Sequence, residues 1–236
     1  MDEDLAGRIK ALDWSGIGAA LDENGWAVIP GLLTSDQCAA VAGLYERPGM
    51  FRSRVIMARH NFGRGEYGYF AYPLPDPVAA LRRGLYPGLA AIANRWAARL
   101  GAEERFPPVL DDFLERCHRA GQTRPTPLLV RYGAGDYNCL HQDLYGDHVF
   151  PLQAAILLTD TADFEGGEFV LTEQRPRMQS RVEVVPLAQG DAVLFPTRHR
   201  PVTGTRGDYR VALRHGVSRV RRGHRSVLGV IFHDAA

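Results

Sequence analysis

The stretch "VRYGAGDYNCLHQDLYGD" (130–147) sets His141 and Asp143 one residue apart. In an extended segment, positions i and i+2 face the same side, so both side chains can reach one ion. Imidazole nitrogen and carboxylate oxygen suit octahedral ferrous iron. Two histidines and one carboxylate on one face leave three positions open for a cosubstrate and oxygen. A His-X-Asp triplet is common by chance, so this reading requires a second histidine far along the chain.

Two histidines qualify. His199 lies in "TRHRPV" and His215 in "LRHGVSRVRRGHRS". His215 follows an expected strand, "DYRVAL". Arg225 stands ten residues beyond it, near the next expected strand, "SVLGVIF". A guanidinium there can reach past a metal and hold the far carboxylate of a dicarboxylic acid in a two-pronged contact. His199 is followed by Arg206 at only seven residues, within a loop rich in Pro, Thr and Gly. His215 is therefore the better third ligand. His199 stays open, with a substrate-side or structural place as its other reading.

These residues need a rigid support. From Leu128 onward, short apolar runs alternate with turns: "PLLVRYGAG", "FPLQAAILLTD", "GGEFVLTEQ", "RVEVVPLAQGDAVLFP", "DYRVALRHGVSRV" and "SVLGVIFHD". Such spacing predicts an antiparallel sandwich or barrel. The first half reads mostly helical. "DEDLAGRIKALDWSGIGAALDENG" has helical apolar spacing and closes at Gly25. "WAVIPGLL" reads as a short strand and turn, and Thr34, Ser35 or Asp36 caps the helix after it. "FRSRVIMARH" has strand character, and "NFGRGEYGYFAYPLPDP" reads as an ordered loop. "PVAALRRGLYPGLAAIANRWAARLG" reads as a helix broken near Pro87, and "VLDDFLERCHRAG" as a helix ending at Gly121. The expectation is one domain over residues 1–236, with a helical half over about 1–125 and a β core over about 126–236.

Bulk properties narrow the class. A chain that is 45% apolar and 23% charged is ordinary for a globular protein and argues against disorder. The longest mostly apolar stretch, "VFPLQAAILL", is too short to span a bilayer, so no membrane partner is expected. The opening "MDEDLAGRIK" lacks the basic-then-apolar layout of a secretory signal. Cys38, Cys117 and Cys139 are odd in number and widely spaced, which predicts buried thiols in a reducing cytoplasm. A net charge of +1 argues against strong nonspecific polyanion binding. The charge is uneven, however. Residues 175–225 hold twelve arginines against Glu183, Asp191 and Asp208, and Lys10 is the sole lysine. Guanidinium groups suit bidentate phosphate or carboxylate contacts.

Five segments in order carry a family resemblance: "GWAVIPGLLTSDQC", "RYGAGDYNCLHQD", "LLTDTADFEGGEF", "GDAVLF" and "HGVSRVRRGHR". From about Gly25 to the C-terminus the chain resembles the Fe(II)/2-oxoglutarate-dependent dioxygenase superfamily, in its prolyl 4-hydroxylase-like branch. It departs at Arg219, where many relatives have proline, and in the long stretch between "GDAVLF" and His215. In length and layout it also resembles a small bacterial group described as oxygenases acting on damaged or alkylated DNA.

The resemblance implies an α+β fold, a double-stranded β-helix (jelly-roll) core with N-terminal helices packed against it. His141, Asp143 and His215 would hold Fe(II). Arg225 would pair with the distal carboxylate of 2-oxoglutarate, with the Tyr132 hydroxyl on the same group. O2 would be the oxidant, and 2-oxoglutarate decarboxylation would be coupled to C–H hydroxylation. No catalytic residue beyond the metal centre is implied. Gly166 and Gly167 permit a turn that residues with a Cβ resist, and Glu168 reads as a turn or solvent group.

Two stretches are candidates for the substrate side. One holds His60, Phe62, Arg64, Tyr67 and Tyr69; the other holds His199 and Arg200. Aromatic faces with arginines nearby suit a nucleotide, and an enzyme acting on a base in a duplex must extrude it. Three functions follow: oxidative dealkylation of nucleic acid, hydroxylation of a protein side chain or small metabolite, and non-catalytic cupin-like ligand binding. A plain metal-binding barrel has no use for Arg225, which argues against the last. Substrate identity and oligomeric state are not written in the sequence.

Overall fold

The computed structural model describes residues 3–236. The chain opens with α1 (Glu3–Lys10) and α2 (Trp14–Asn24), then β1 (Ala27–Ile29) and α3 (Ser35–Gly43). The single helical run expected over α1 and α2 is split because Asp13 caps α2, its carboxylate accepting from the backbone N–H groups of Ser15 and Gly16. Thr34 caps α3 in a reciprocal pair with Gln37. Next come β2 (Phe51–Ile56), β3 (Gly63–Arg64), β4 (Glu66–Phe70), α4 (Asp76–Arg99) and α5 (Leu110–Arg119).

Two expectations change here. Pro87 does not break its helix: α4 is continuous through it, since ten residues between Val78 and Trp96 are buried along it. That burial outweighs one missing backbone bond. The aromatic stretch read as a loop contains β4, which pairs with both β2 and the following strand β5 (Leu128–Tyr132). Its aromatics favour a pleated, half-buried surface, and that preference outweighs the glycines around it.

The remaining strands are β6 (Tyr137–His141), β7 (Leu152–Leu157), β8 (Phe164–Gly166), β9 (Phe169–Gln174) and β10 (Arg181–Val185). After them come β11 (Ala192–Pro196), β12 (His199–Gly204), β13 (Gly207–Val217), β14 (Val220–Gly223) and β15 (Arg225–Val230). Among the described residues they form a seven-stranded sheet in the order β1-β11-β7-β15-β5-β4-β2 and a six-stranded sheet in the order β10-β9-β13-β6-β3. β12 pairs with β13 outside that path, and β14 pairs with β8 as a separate ribbon. Every pairing between these strands is antiparallel.

β7 shows how the layers assemble. Leu152, Ala154 and Ile156 join the large cluster made with the helices, which includes Leu21, Tyr86, Trp96 and Phe113. Ala155 and Leu157 point the other way and pack with Phe169, Leu171, Val193 and Phe195 between the sheets. A strand covered on both faces reads as a continuous apolar run. Gln153 is the polar exception, buried at 2% exposure and facing the inter-sheet side.

Candidate metal centre

β6 and β13 are neighbours, and their register sets His141 directly opposite His215. The two rings lie 4.1 Å apart between centroids. Asp143, two residues past the end of β6, turns back between them. Its Oδ1 lies 3.5 Å from His141 Nε2 and its Oδ2 3.3 Å from His215 Nε2. The candidate ligand atoms of all three residues lie within 4.8 Å of one another.

Local structure fixes which nitrogens face the centre. His141 Nδ1 lies 2.8 Å from the Cys139 carbonyl oxygen. An N–H there frees Nε2, on the side of Asp143, to serve as a metal ligand when the ring is neutral, or to donate to the carboxylate when it is protonated. Burial pushes the Asp143 carboxyl up, but hydrogen bonds and charge from both histidines outweigh it and hold it well below the usual carboxylate range. Burial and then the charge of His141 pull His215 down, against Asp143. Burial also pulls at His141, yet its contacts with Asp143 leave it raised. An ionised carboxylate between two imidazole nitrogens is a donor set that fits ferrous iron.

The sequence reading missed Tyr145. Its hydroxyl donates to Asp143 Oδ1 at 2.7 Å, and the Tyr69 hydroxyl donates to Tyr145 at 3.0 Å. Burial and then Asp143 push the Tyr145 phenol up, so it stays a donor at neutral pH. The available signal was its place two residues after Asp143, the same i, i+2 relation as His141 and Asp143.

The centre opens into a cavity of about 440 Å³ between the sheets. At another point on its wall, Arg225 begins β15 directly opposite Tyr132 on β5. Arg225 is 2% exposed, its Cζ lies 5.8 Å from the Tyr132 ring centre, and its Nε and Nη1 have no hydrogen-bond partner. Burial lowers the guanidinium to about 10, opposed by Tyr132 and Glu168, so it remains charged at pH 7. Burial raises the Tyr132 phenol to about 12, opposed by Arg225. A buried cation with unused donors calls for an anion. Glycine makes room for it: a Cβ on Gly167, whose φ is +67°, would stand 2.8 Å from Arg225 Cδ. Glu168 itself accepts from the Ser218 hydroxyl and pairs with Arg221.

Phe62, Tyr67 and Tyr69 line the same cavity, with Phe169, Phe195 and Val227. Gln153, also absent from the sequence reading, lines it too, and its Nε2 has no partner. Other candidates lie elsewhere. His60 and Arg64 are exposed and outside the cavity wall, and the His60 ring stacks on Phe62 at 5.4 Å. His199 borders clefts on the outer surface. Arg200 is buried. Its Nε and Nη2 donate to Glu173 Oε2 at 2.9 and 2.5 Å, and its Nη1 donates to the Asp22 carbonyl at 2.7 Å. It ties the end of α2 to the six-stranded sheet and does not face substrate.

Comparisons with known proteins bear on the family and the fold. Two uncharacterized proteins of Mycobacterium tuberculosis, from strains CDC 1551 / Oshkosh and H37Rv, are each 52% identical over 168 residues, covering 71% of this chain and 72% of theirs. A 2OG-Fe(II) oxygenase family oxidoreductase from Burkholderia pseudomallei has a similar structure, with a TM-score of 0.58 at 16% identity over 96% of this chain and 94% of that one. A Trichoplax adhaerens prolyl hydroxylase, solved with a hypoxia inducible factor peptide fragment, gives a TM-score of 0.55 at 16% identity over 98% and 93%. At such identities the likeness is one of fold. A family model described as "Oxygenase, catalysing oxidative methylation of damaged DNA" matches residues 65–235. That match spans both the paired histidines and Arg225, and this chain belongs to the oxygenase family so described.

Proposed function

We propose that this protein is an Fe(II)- and 2-oxoglutarate-dependent dioxygenase that removes alkyl groups oxidatively from damaged nucleic acid. One observation carries the chemistry. The His141–Asp143–His215 cluster shares one cavity with a buried arginine whose Nε and Nη1 are unpartnered. A metal-binding barrel without turnover has no need of that second feature.

In this reading His141, Asp143 and His215 hold the iron. Arg225 and Tyr132 hold the distal carboxylate of 2-oxoglutarate, whose charge satisfies the orphaned guanidinium. When bound, ferrous iron and 2-oxoglutarate use O2 to hydroxylate a substrate C–H bond, with release of succinate and carbon dioxide. Tyr145 orients the Asp143 carboxylate, and Tyr69 orients Tyr145. Phe169, Phe195, Val217 and Val227 keep the cavity dry. Phe62, Tyr67 and Tyr69 offer faces on which a flat base can stack. A methyl on a base nitrogen, once hydroxylated, departs as formaldehyde.

The two sheets with helices packed on the larger one support a jelly-roll core within a single domain spanning residues 1–236. Three unpaired cysteines fit a cytoplasmic setting, although only Cys38 and Cys117 are buried as expected and Cys139 is exposed on β6, and among the described residues no helix is long and apolar enough to cross a membrane.

The test is formaldehyde and succinate release from N-methylated oligonucleotides with Fe(II), 2-oxoglutarate and air. Both products in equal amounts support the proposal. Succinate with no formaldehyde across common lesions turns it toward hydroxylation of a protein side chain or small metabolite, and absence of succinate under all conditions overturns the enzyme reading.

A further inference from the structure

Nine of the twelve arginines between residues 175 and 225 fall into two groups, with Arg206, Arg219 and Arg225 outside both. One group is ion-paired, with Glu173 shared between two arginines. Arg175 and Arg200 pair with Glu173, Arg181 with Glu183, Arg221 with Glu168 and Arg222 with Glu165. The other group, Arg177, Arg198, Arg210 and Arg214, is exposed. None of these four stands in an ion pair among the described residues.

Their placement follows from strand parity. Val211, Leu213 and His215 of β13 turn inward, so Arg210 and Arg214 stand on the outer face of the six-stranded sheet. Four residues along a strand separate them by about 13 Å. His199 on β12 is registered against Ala212, between the two. Two surface clefts meet at His199 and Arg210; Arg177 borders one and Arg198 the other. Burial, then Arg198 and Arg210, hold His199 down at about 4, so it is a neutral imidazole there at pH 7. Glu104 and Asp147 also border the second cleft.

This face adjoins the metal cavity. Leu144 borders the second cleft, while its neighbour Asp143 lines the cavity. Gln142, which lines the cavity, points its amide toward the Arg198 carbonyl at 3.4 Å and donates to the Leu213 carbonyl at 2.7 Å. Apolar side chains stand exposed along the same rim: Phe62 at 49%, Leu140 at 44% and Leu144 at 42%.

We infer that the outer face carrying Arg177, Arg198, Arg210 and Arg214 binds the phosphodiester backbone of a single nucleic-acid strand and delivers it to the cavity mouth. The inference rests on the nucleic-acid reading of the site. Unpaired guanidinium groups supply phosphate contacts without regard to sequence, and the exposed apolar rim supplies surfaces for unstacked bases. A small metabolite would need neither a track of charges outside the cavity nor an apolar rim.

The test is fluorescence anisotropy of the full chain with a labelled, unmodified single-stranded DNA oligonucleotide across a salt series. The double variant R198E/R210E is compared with R83E/R119E, which makes the same charge change on α4 and α5. Expected is a loss of affinity of about tenfold or more in R198E/R210E, a salt dependence shallower by about 2, and near-native affinity in R83E/R119E. The thermal shift produced by Fe(II) with 2-oxoglutarate should stay as in the wild type, showing that the cavity is intact. Equal binding by R198E/R210E overturns the inference, as does an equal loss in both variants. Competition by poly-glutamate as strong as by unlabelled DNA also overturns it, since the face would then be a general anion surface. Binding of DNA with no formaldehyde from alkylated strands leaves this surface standing and defeats the dealkylation reading. Formaldehyde release with an unchanged KM in R198E/R210E does the reverse.

Discussion

Tyr145 donates its hydroxyl to Oδ1 of Asp143 at 2.7 Å, from two residues further along the chain. This bond fixes one carboxylate oxygen and leaves Oδ2 toward His215. Groups that orient a ligand from behind are worth about 10–100-fold in metal affinity. Y145F should therefore weaken Fe(II) binding about tenfold or more, read as the metal concentration that gives half the maximal thermal shift under argon. The metal-free melting temperature should move little. Unchanged metal affinity would remove Tyr145 from this role.

Arg225 predicts opposite effects on stability and on binding. Its guanidinium is buried with Nε and Nη1 unpaired, which costs the metal-free protein free energy. R225M keeps the aliphatic bulk and removes the charge, so the metal-free melting temperature should hold or rise. The 2-oxoglutarate concentration for half-maximal succinate release should rise about tenfold or more, as expected for the loss of a charge-assisted contact of about 1.5–3 kcal/mol. An unchanged 2-oxoglutarate requirement would show that the cosubstrate binds elsewhere.

Gly167 tests the same subsite without touching a polar group. An alanine there has a φ of +67° to accommodate and a Cβ pressed on Arg225 Cδ. G167A should cost about 1 kcal/mol or more in stability and also raise the 2-oxoglutarate requirement by displacing the guanidinium. A stability loss with native cosubstrate affinity would confine Gly167 to the turn.

His233 sets a pH window. It is fully buried, its Nδ1 accepts from the Phe150 backbone N–H at 3.3 Å, and its Nε2 has no partner. Burial is the main cause of its fall to about 4 from an ordinary value near 6.5. Between those values the unfolded chain takes up a proton that the folded chain refuses. Stability is therefore lost as pH falls from about 6.5 to 4, by up to roughly 3 kcal/mol from this group. H233N keeps an acceptor and cannot titrate, so urea midpoints measured at pH 7 and pH 5 should lie closer together than in the wild type. Equal midpoint shifts in both proteins would refute this.

The sequence reveals some of this site and hides the rest for physical reasons. His141 and Asp143 stand out because i, i+2 spacing is a local property of extended chain. His215 and Arg225 stand out through their mutual spacing across one strand connection. Arg200 and Arg198 show what is hidden: two positions apart, they would share a face in one strand, but β12 begins only at His199, so strand parity does not carry over to Arg198. Arg200 turns in to Glu173 while Arg198 faces solvent, and nothing local marks which does which. Tyr145 and Gln153 gain meaning only from partners, or from the lack of them, across the cavity. The aromatics of β4 are visible in the sequence, but their strand forms through pairing with β5, a contact between segments some sixty residues apart.

The position of β4 and β3 bears on how much sequence change this margin of the cavity tolerates. β7 and β15 lie inside the large sheet, flanked by strands on both sides, and β7 is packed on both faces, so residues there are held by many neighbours at once. Phe62, Tyr67 and Tyr69 instead belong to a short span near the open margins of the two sheets, where β3 is the last strand of one and β4 the last but one of the other. Side chains in this span can therefore change with less disturbance to the packed centre of either sheet, with Tyr69 the exception, because its hydroxyl is tied through Tyr145 to Asp143.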